Sequence, residues 1–414
     1  MNEVVKHRIE QIKQGEVPDG YKRTKVGIVP EEWENSLFSN LFVPYNERTQ
    51  DLKKYPLYSL TIEDGITAKT ERYERSHLVK KEDSYKVVRP NDFAYNPMNL
   101  RFGAVSRHKG NNHVCVSGYY DIFTTQHKSD LLFMDSYLVS NKMITYYNKV
   151  ATGSLVEKQR VHFSQFLEFN LPLPDLKERE KIAEILATQD KVIALKEKLL
   201  EEKKKQKKYL MQQLLTGKKR LPGFTDRYFA QKMKTIIRET SFRSNDGINR
   251  NVMSVSNVKG FVSQTEQFDK IVASNDTSNY KIVKYGTFAY NPSRINVGSL
   301  ALYKGNQEII VSPMYSTFIA LGNINMDYLL YWFKSFGFTS QLKKYLSGSV
   351  RNSLSISDLL LFDIRLPYIE EQNAIVEVLS NADKEISIIQ KSIDQEKQKK
   401  KALMQLLLTG IVRV

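Results

Sequence analysis

The chain predicts an α+β fold: two similar α/β domains separated by two long helices, the helices packed as an antiparallel coiled coil in a pseudo-two-fold dumbbell. Three observations predict it. The pentapeptide "FAYNP" stands at Phe93 to Pro97 and again, unchanged, at Phe288 to Pro292, an offset of 195 residues, which is a domain with a connector rather than a solenoid period. Two segments without glycine or proline carry apolar residues at heptad spacing. Between them lie short β-branched and aromatic runs punctuated by turn residues.

The duplication can be followed outward in one register. Ser59 meets Ser254, Gly65 meets Gly260, Tyr85-Lys86 meets Tyr280-Lys281 and Gly103 meets Gly298. Lys109-Gly110-Asn111, Phe123, Gly153-Ser154 and Leu171-Pro172 find Lys304-Gly305-Asn306, Phe318, Gly348-Ser349 and Leu366-Pro367. The offset is then expected to fall to 193 after Pro172, where "LMQQLLTG" (Leu210 to Gly217) meets "LMQLLLTG" (Leu403 to Gly410). The expected organisation is an N-terminal segment (1–21), a first domain (22–172), a central helical spacer (173–217), a second domain (218–367) and a C-terminal helical spacer (368–414).

Within each domain, "GAVSRHKGNNHVCVS" and "GSLALYKGNQEIIVS" read as strand, Lys-Gly-Asn turn, strand. In "FAYNP" three strand formers end on Asn-Pro, a turn initiator, so the pentapeptide reads as a strand-to-turn corner common to both domains. The first helix has its seam at Leu186, Ile193, Leu200 and Leu214, with Lys207 interrupting. The second repeats it at Leu379, Ile386, Ile393 and Leu407, with Lys400 interrupting. Asp175 followed by Glu178 fits a capping box, and Gly217 and Gly410 fit C-terminal caps. Each helix of about 40 residues reaches ~60 Å. Neither hides its stripe alone, so the two are expected to pair antiparallel. The alternative is that each packs on its own domain.

Composition narrows the function. Lys and Arg number 62 against 46 Asp and Glu, a net charge of +16, in a chain with 23 Tyr and 20 Phe. That balance suits a polyanion, nucleic acid first, although a run such as "KKKQKK" (Lys203 to Lys208) can equally solvate a helix. The single cysteine, Cys115, excludes an intramolecular disulfide and faces Ile310 across the repeat, which favours a buried strand position. No apolar run reaches a membrane span and Met1 opens a charged segment, so a cytoplasmic protein without membrane contact is expected.

Chemistry is not in view. Asn96-Pro97 and Asn291-Pro292 resemble the start of an amino-methyltransferase loop, Asn/Asp-Pro-Pro-aromatic, but Met98 and Ser293 follow, and both the second proline and the aromatic are missing. There is no glycine-rich methyl-donor loop and no phosphate loop. No histidine faces another histidine across the repeat, so no metal or acid–base site is common to both domains. The chain is expected to hold no catalytic residue, no metal and no cofactor of its own.

The order of these marks resembles the specificity (S) subunit of Type I restriction-modification systems. It rests on "GIVPEEW" (Gly27 to Trp33) entering the first domain, "VSGYYDIF" and "VSPMYSTF" late in each domain, "LPLPDLKEREKIAEIL" and "RLPYIEEQNAIVEVL" opening the helices, and "LLTG" closing them. The second domain opens with "RLPGFTDRYF" and has no tryptophan there. The resemblance implies two target recognition domains, each reading one half of a split, asymmetric site in double-stranded DNA. It implies helices that set the gap between the halves and dock two methyltransferase (M) subunits. Those partners would bind S-adenosylmethionine and methylate adenine, and motor-nuclease (R) subunits would join them for cleavage. The alternatives from the residues alone are a stand-alone architectural or regulatory DNA-binding protein, and a coiled-coil scaffold whose basicity is incidental.

Two domains that share a scaffold but read different sequences must differ where they read. The copies diverge just past the shared corner, nominating Arg101 and Arg294 for guanine contacts. They diverge again after the shared Gly-Ser, "LVEKQR" against "VRNSLS", nominating Lys158, Gln159, Arg160, Arg351 and Asn352. Lys109 and Lys304, with Arg107 beside the first, suit DNA-binding contacts to phosphate.

Overall fold

The computed structural model describes residues 3–68, 85–155, 159–245, 250–257, 259–263, 276–347 and 353–414. It is mixed helix and strand with two long helices, Leu176–Leu214 and Ile369–Leu408. The chain divides into two compact units, Met1–Glu197 with Lys391–Val414, and Lys198–Gln390. Each unit thus holds one domain, the start of the helix that follows it and the end of the other helix.

In the first unit a four-stranded antiparallel sheet runs Val105–Arg107, Phe93–Tyr95, Asp121–Thr125, Phe42–Tyr45. A second sheet runs Val114–Ser117, Tyr85–Val88, Arg48–Thr49. The second unit repeats the first sheet as Leu300–Leu302, Thr287–Tyr290, Ser316–Ala320, Ile237–Glu239. The two strands flanking each Lys-Gly-Asn turn therefore go to different sheets and do not form a hairpin.

The repeated pentapeptide owes its composition to a two-residue period. Phe93 and Tyr95 face a core shared with the helices, while Ala94 faces the second sheet with Val88, Val114 and Val116. Phe288, Tyr290 and Ala289 divide the same way. Phe93 stacks on Phe123 at 5.2 Å and 5°, and Phe288 on Phe318 at 4.9 Å and 2°. Two large rings on one face and a methyl on the other let one strand serve two packing layers of unequal depth. Cys115 is buried on its strand, its thiol donating to the Tyr55 carbonyl at 3.1 Å, and burial pushes its pKa up to about 11.

Both units contain an antiparallel helix pair. In the first, Lys196 bridges Glu396 at 2.7 Å and Lys400 bridges Asp190 at 2.6 Å, while Gln189 donates to Glu396 at 2.8 Å. In the second, Lys203 meets Glu385 at 2.8 Å and Lys207 meets Asp383 at 2.5 Å. The polar interruptions of the seam are thus paired across it. Leu186, Ile193, Leu200, Leu214, Leu379, Ile393 and Leu407 are buried and Ile386 is half-buried. The helix ends also enter the domain cores: Ile182, Leu186 and Leu407 in the first, Leu214, Ile375 and Leu379 in the second. Pairing and packing on a domain, posed above as alternatives, coexist.

Two expectations are corrected. The drop in offset does not follow Pro172. Leu173 opposes Glu34, and Leu366 opposes Phe229, which stands 195 residues after Glu34, so Leu173 is the counterpart of Leu366 at offset 193. The two missing residues lie inside the domain: ten residues separate Val150 from Val161, and eight separate their counterparts Tyr345 and Leu354. Repeated Leu-Pro pairs in "LPLP" allow both alignments, and only the strand pairing chooses. The capping box is half formed. Asp175 accepts the Glu178 amide at 2.8 Å, but the Glu178 carboxylate turns inward to Trp33 Nε1 at 3.2 Å and Arg413 Nε at 2.6 Å. The predicted caps Gly217 and Gly410 do adopt left-handed backbone, φ 69° and 72°.

The pair Glu178–Arg413 has a counterpart that the sequence reading missed. Arg220 Nε donates to Glu371 at 2.8 Å, with Tyr228 under the guanidinium at 4.9 Å. Arg220 and Arg413 each stand three residues past the helix-closing glycine. Tyr228 occupies the place of Trp33, so the second domain has its aromatic entry after all. Among the described residues no helix is long and apolar enough to cross a membrane.

Candidate nucleic-acid interface

The corner at the end of "FAYNP" is built identically twice. Asn96 Oδ1 accepts the Met98 amide at 3.1 Å, and Asn291 Oδ1 accepts the Ser293 amide at 3.1 Å. The Asn96 and Asn291 amides donate to Ala104 and Ser299, at 3.0 and 3.1 Å. Gly103 and Gly298 close the short 3-10 turns Leu100–Phe102 and Pro292–Val297 with φ 94° and 86°, values that strain any residue with a Cβ.

The same corner holds the end of the second divergent segment. Val161 donates its amide to the Pro97 carbonyl at 3.2 Å and accepts from the Tyr95 hydroxyl at 2.6 Å. Leu354 does both in the second domain, to Pro292 at 3.1 Å and from Tyr290 at 3.2 Å. The residues that flank the two nominated stretches are therefore fastened to one another by bonds that the copies share.

In the first domain the nominated side chains meet there. Arg101 donates to Gln159 Oε1 at 3.1 Å, and its guanidinium lies 4.6 Å from the Phe102 ring. The Arg101 Nε is enclosed with no hydrogen-bond partner, whereas the residue as a whole is half-buried. Asn148, which the sequence reading did not single out, fixes the turn by donating to the Arg101 carbonyl at 2.7 Å. Arg160 is exposed beside them and bridges Thr152 through its backbone. In the second domain Arg294 is exposed, and its side chain makes no hydrogen bond or ion pair among the described residues. Lys158, Arg351 and Asn352 lie outside the described residues.

The remaining nominees form a separate group. Arg107 and Lys109 both reach Asp135, at 3.2 Å each, and Arg107 also donates to Asn91 Oδ1 at 2.7 Å. The Arg107 side chain is 13% exposed, so its charge is already spent inside the domain. Lys109 keeps 61% exposure and Lys304, paired with Asp327 at 2.5 Å, keeps 52%. Exposed pairs of this kind hold a lysine loosely and leave it available to a stronger anion.

Geometry and composition together describe a duplicated α/β binding scaffold with basic loops carried on a shared frame and paired helices as connectors. The chain belongs to the family of the Type I restriction modification DNA specificity domain, whose pattern matches residues 111–205 and 229–397, more than half of the chain. It is 25% identical to the putative type I restriction enzyme MjaX specificity subunit of Methanocaldococcus jannaschii, over 96% of this chain and 97% of that one. It is 28% identical to the MjaVIII specificity subunit of the same organism, over 60% of this chain and 63% of the relative's length. Among solved structures it is similar to a chain from work on complex assembly and conformational transition of the type I R-M system, with TM-score 0.54 and 15% identity, covering 93% of this chain and 99% of that one. The S subunit of a Type-I restriction-modification system from M. genitalium follows at TM-score 0.51 and 13% identity, covering 91% and 96%. These two likenesses concern the fold.

Proposed function

We propose that the chain is the DNA-reading subunit of a Type I restriction-modification complex, each domain reading one half of a split target. One observation carries the reading. In both domains the residues that flank the two divergent segments (98–102 and 155–160, 293–297 and 350–353), Tyr95 and Pro97 with Val161, and Tyr290 and Pro292 with Leu354, are fastened together by the same pair of bonds on the same corner. A frame held constant under two variable loops is what two readers of different sequences require, and a general phosphate binder has no use for it. Arg101, oriented by Gln159 and the Phe102 ring, presents the donor fork that suits guanine. Exposed Lys109 and Lys304 suit phosphate contacts that position without specifying.

Catalysis belongs to partners in this reading. The corner lacks the second proline and aromatic of an amino-methyltransferase loop, so two M subunits would dock on the helices and bring S-adenosylmethionine, with R subunits joining for cleavage, in the cytoplasm. The test is selection of duplexes from a randomised library by the full chain with its methyltransferase partners. A split motif is expected. Replacing 98–102 and 153–160 together by the corresponding segments of a relative should change one half and leave the other. A change in both halves, or in neither, removes the reading.

A further inference from the structure

The first unit contains a cavity of 750 Å³, a volume in the ordinary range of small-molecule sites. It is bounded by the segment 24–28, the helix Asn141–Val150 and the last turns of the second long helix. Six lysines line it, Lys25, Lys142, Lys149, Lys397, Lys400 and Lys401, and no aspartate or glutamate does. Two of the six are neutralised from outside, Lys397 by Glu197 at 2.7 Å and Lys400 by Asp190 at 2.6 Å. The rest of the wall is mixed: Ile28, Tyr146 and Met404 are among its apolar residues, and Thr24, Asn141 and Gln405 among its polar ones.

Lys142 is the unusual member. Its ammonium is enclosed without a hydrogen-bond partner and rests 5.0 Å from the Trp33 ring and 5.8 Å from that of Tyr137. A buried ammonium facing only rings is costly to keep charged; burial accordingly pulls its pKa down to about 7. Lys142 stands in the first turn of a ten-residue helix whose cap, Ser140, accepts the Met143 amide, so the positive end of the helix adds to the same field. Lys142 and Tyr146 lie outside the shared frame, whereas Lys397, Lys400 and Lys401 repeat Lys204, Lys207 and Lys208 at offset 193. Gly337 and Gln341 occupy the places of Lys142 and Tyr146 in the second domain.

We propose that this cavity binds a phosphorylated small molecule with a flat apolar body, the chemistry of a nucleoside polyphosphate. Its phosphates supply the counter-charge that Lys25, Lys149 and Lys401 lack among the described residues, and its ring uses the apolar part of the wall. The site is independent of the DNA-reading loops.

The experiment is equilibrium dialysis of the full chain against radiolabelled ATP without magnesium, with inorganic triphosphate and adenosine as parallel probes. One equivalent should bind with a Kd below about 100 μM. Triphosphate and adenosine should each bind at least about tenfold more weakly, since each presents only half of the recognised chemistry. The double variant Lys149→Gln with Lys401→Gln, both exposed at the rim, should weaken ATP by about tenfold or more, the loss of two charge-assisted contacts. Lys25→Gln, also exposed, should weaken it in the same direction and keeps the test alive if the double variant fails to fold. Four results overturn the proposal: no saturation by about 1 mM, triphosphate binding as tightly as ATP, unchanged affinity in the folded variants, or one-for-one displacement of ATP by duplex DNA, which would make the lysines phosphate contacts to nucleic acid.

Discussion

The two domains are alike where they hold the corner and unlike where the corner points. Stacked phenylalanines, the asparagine turn, the tyrosine hydroxyl and the left-handed glycine recur, the tyrosine bond at 2.6 Å in one copy and 3.2 Å in the other and the asparagine bond at 3.1 Å in both. Beyond them, Arg101 is braced by Gln159 and Phe102, whereas Arg294 stands in an exposed turn and has no such brace among the described residues. The one difference in length between the copies after Ser59 also falls there, in the segment before Val161 and Leu354. Variation is tolerated where backbone bonds on either side fix the ends of a loop, since each added residue then costs little closure entropy.

The comparison breaks first at the frame. Phe93→Ala and Phe288→Ala should each destabilise by roughly 3–5 kcal/mol, because each ring is fully buried on a stacked partner. Urea unfolding followed with hydrogen exchange should place each loss in its own domain. Equal exchange in both domains would mean that they do not fold as separate units.

A smaller asymmetry is expected at the helix starts. Arg220→Met and Arg413→Met strand Glu371 and Glu178, whose side chains are 3% and 5% exposed. Losing the cation from a buried carboxylate costs ~3 kcal/mol, less where solvent reaches the pair. Arg220 engages both oxygens of Glu371, whereas Arg413 is shared with Glu32, so the Arg220 variant should melt lower. Trp33 still donates to Glu178 when Arg413 is lost, so the reverse order of midpoints would show that neither this bond nor the two-oxygen grip of Arg220 sets the difference.

The loops sharpen the comparison. Arg101→Ala should cost ~1–3 kcal/mol of discrimination at one position of one half-site, and Arg294→Ala the same in the other half. Gln159→Ala should blur the position proposed for Arg101, whose guanidinium Gln159 holds. Methylation mapping over a randomised plasmid library reads all three, and an unchanged pattern would move the reading contact elsewhere. The smallest effect belongs to Lys109→Ala and Lys304→Ala. Each should weaken all sequences alike and lower the salt slope by at most about one ion, since Asp135 and Asp327 already hold part of each charge.

Much of this was legible in the chain. The duplication, the two long helices, their seam and their glycine caps follow from spacing alone, because period and left-handed backbone are local properties. The division of "FAYNP" between two layers also follows from a period of two. Three things were decided only by tertiary structure. Strand pairing chose between two Leu-Pro alignments and moved the length difference into the loop before Val161. Arg220 and Arg413 look like stray charges past a helix end until folding brings them to glutamates 151 and 235 residues away. Lys142 is one lysine among many until Trp33 and Tyr137 close over it. Sequence determines which residues repeat and which faces are apolar, since those depend on neighbours a few positions apart. Which charges find a partner, and which are left without one, depends on packing between distant segments, and only the folded chain decides it.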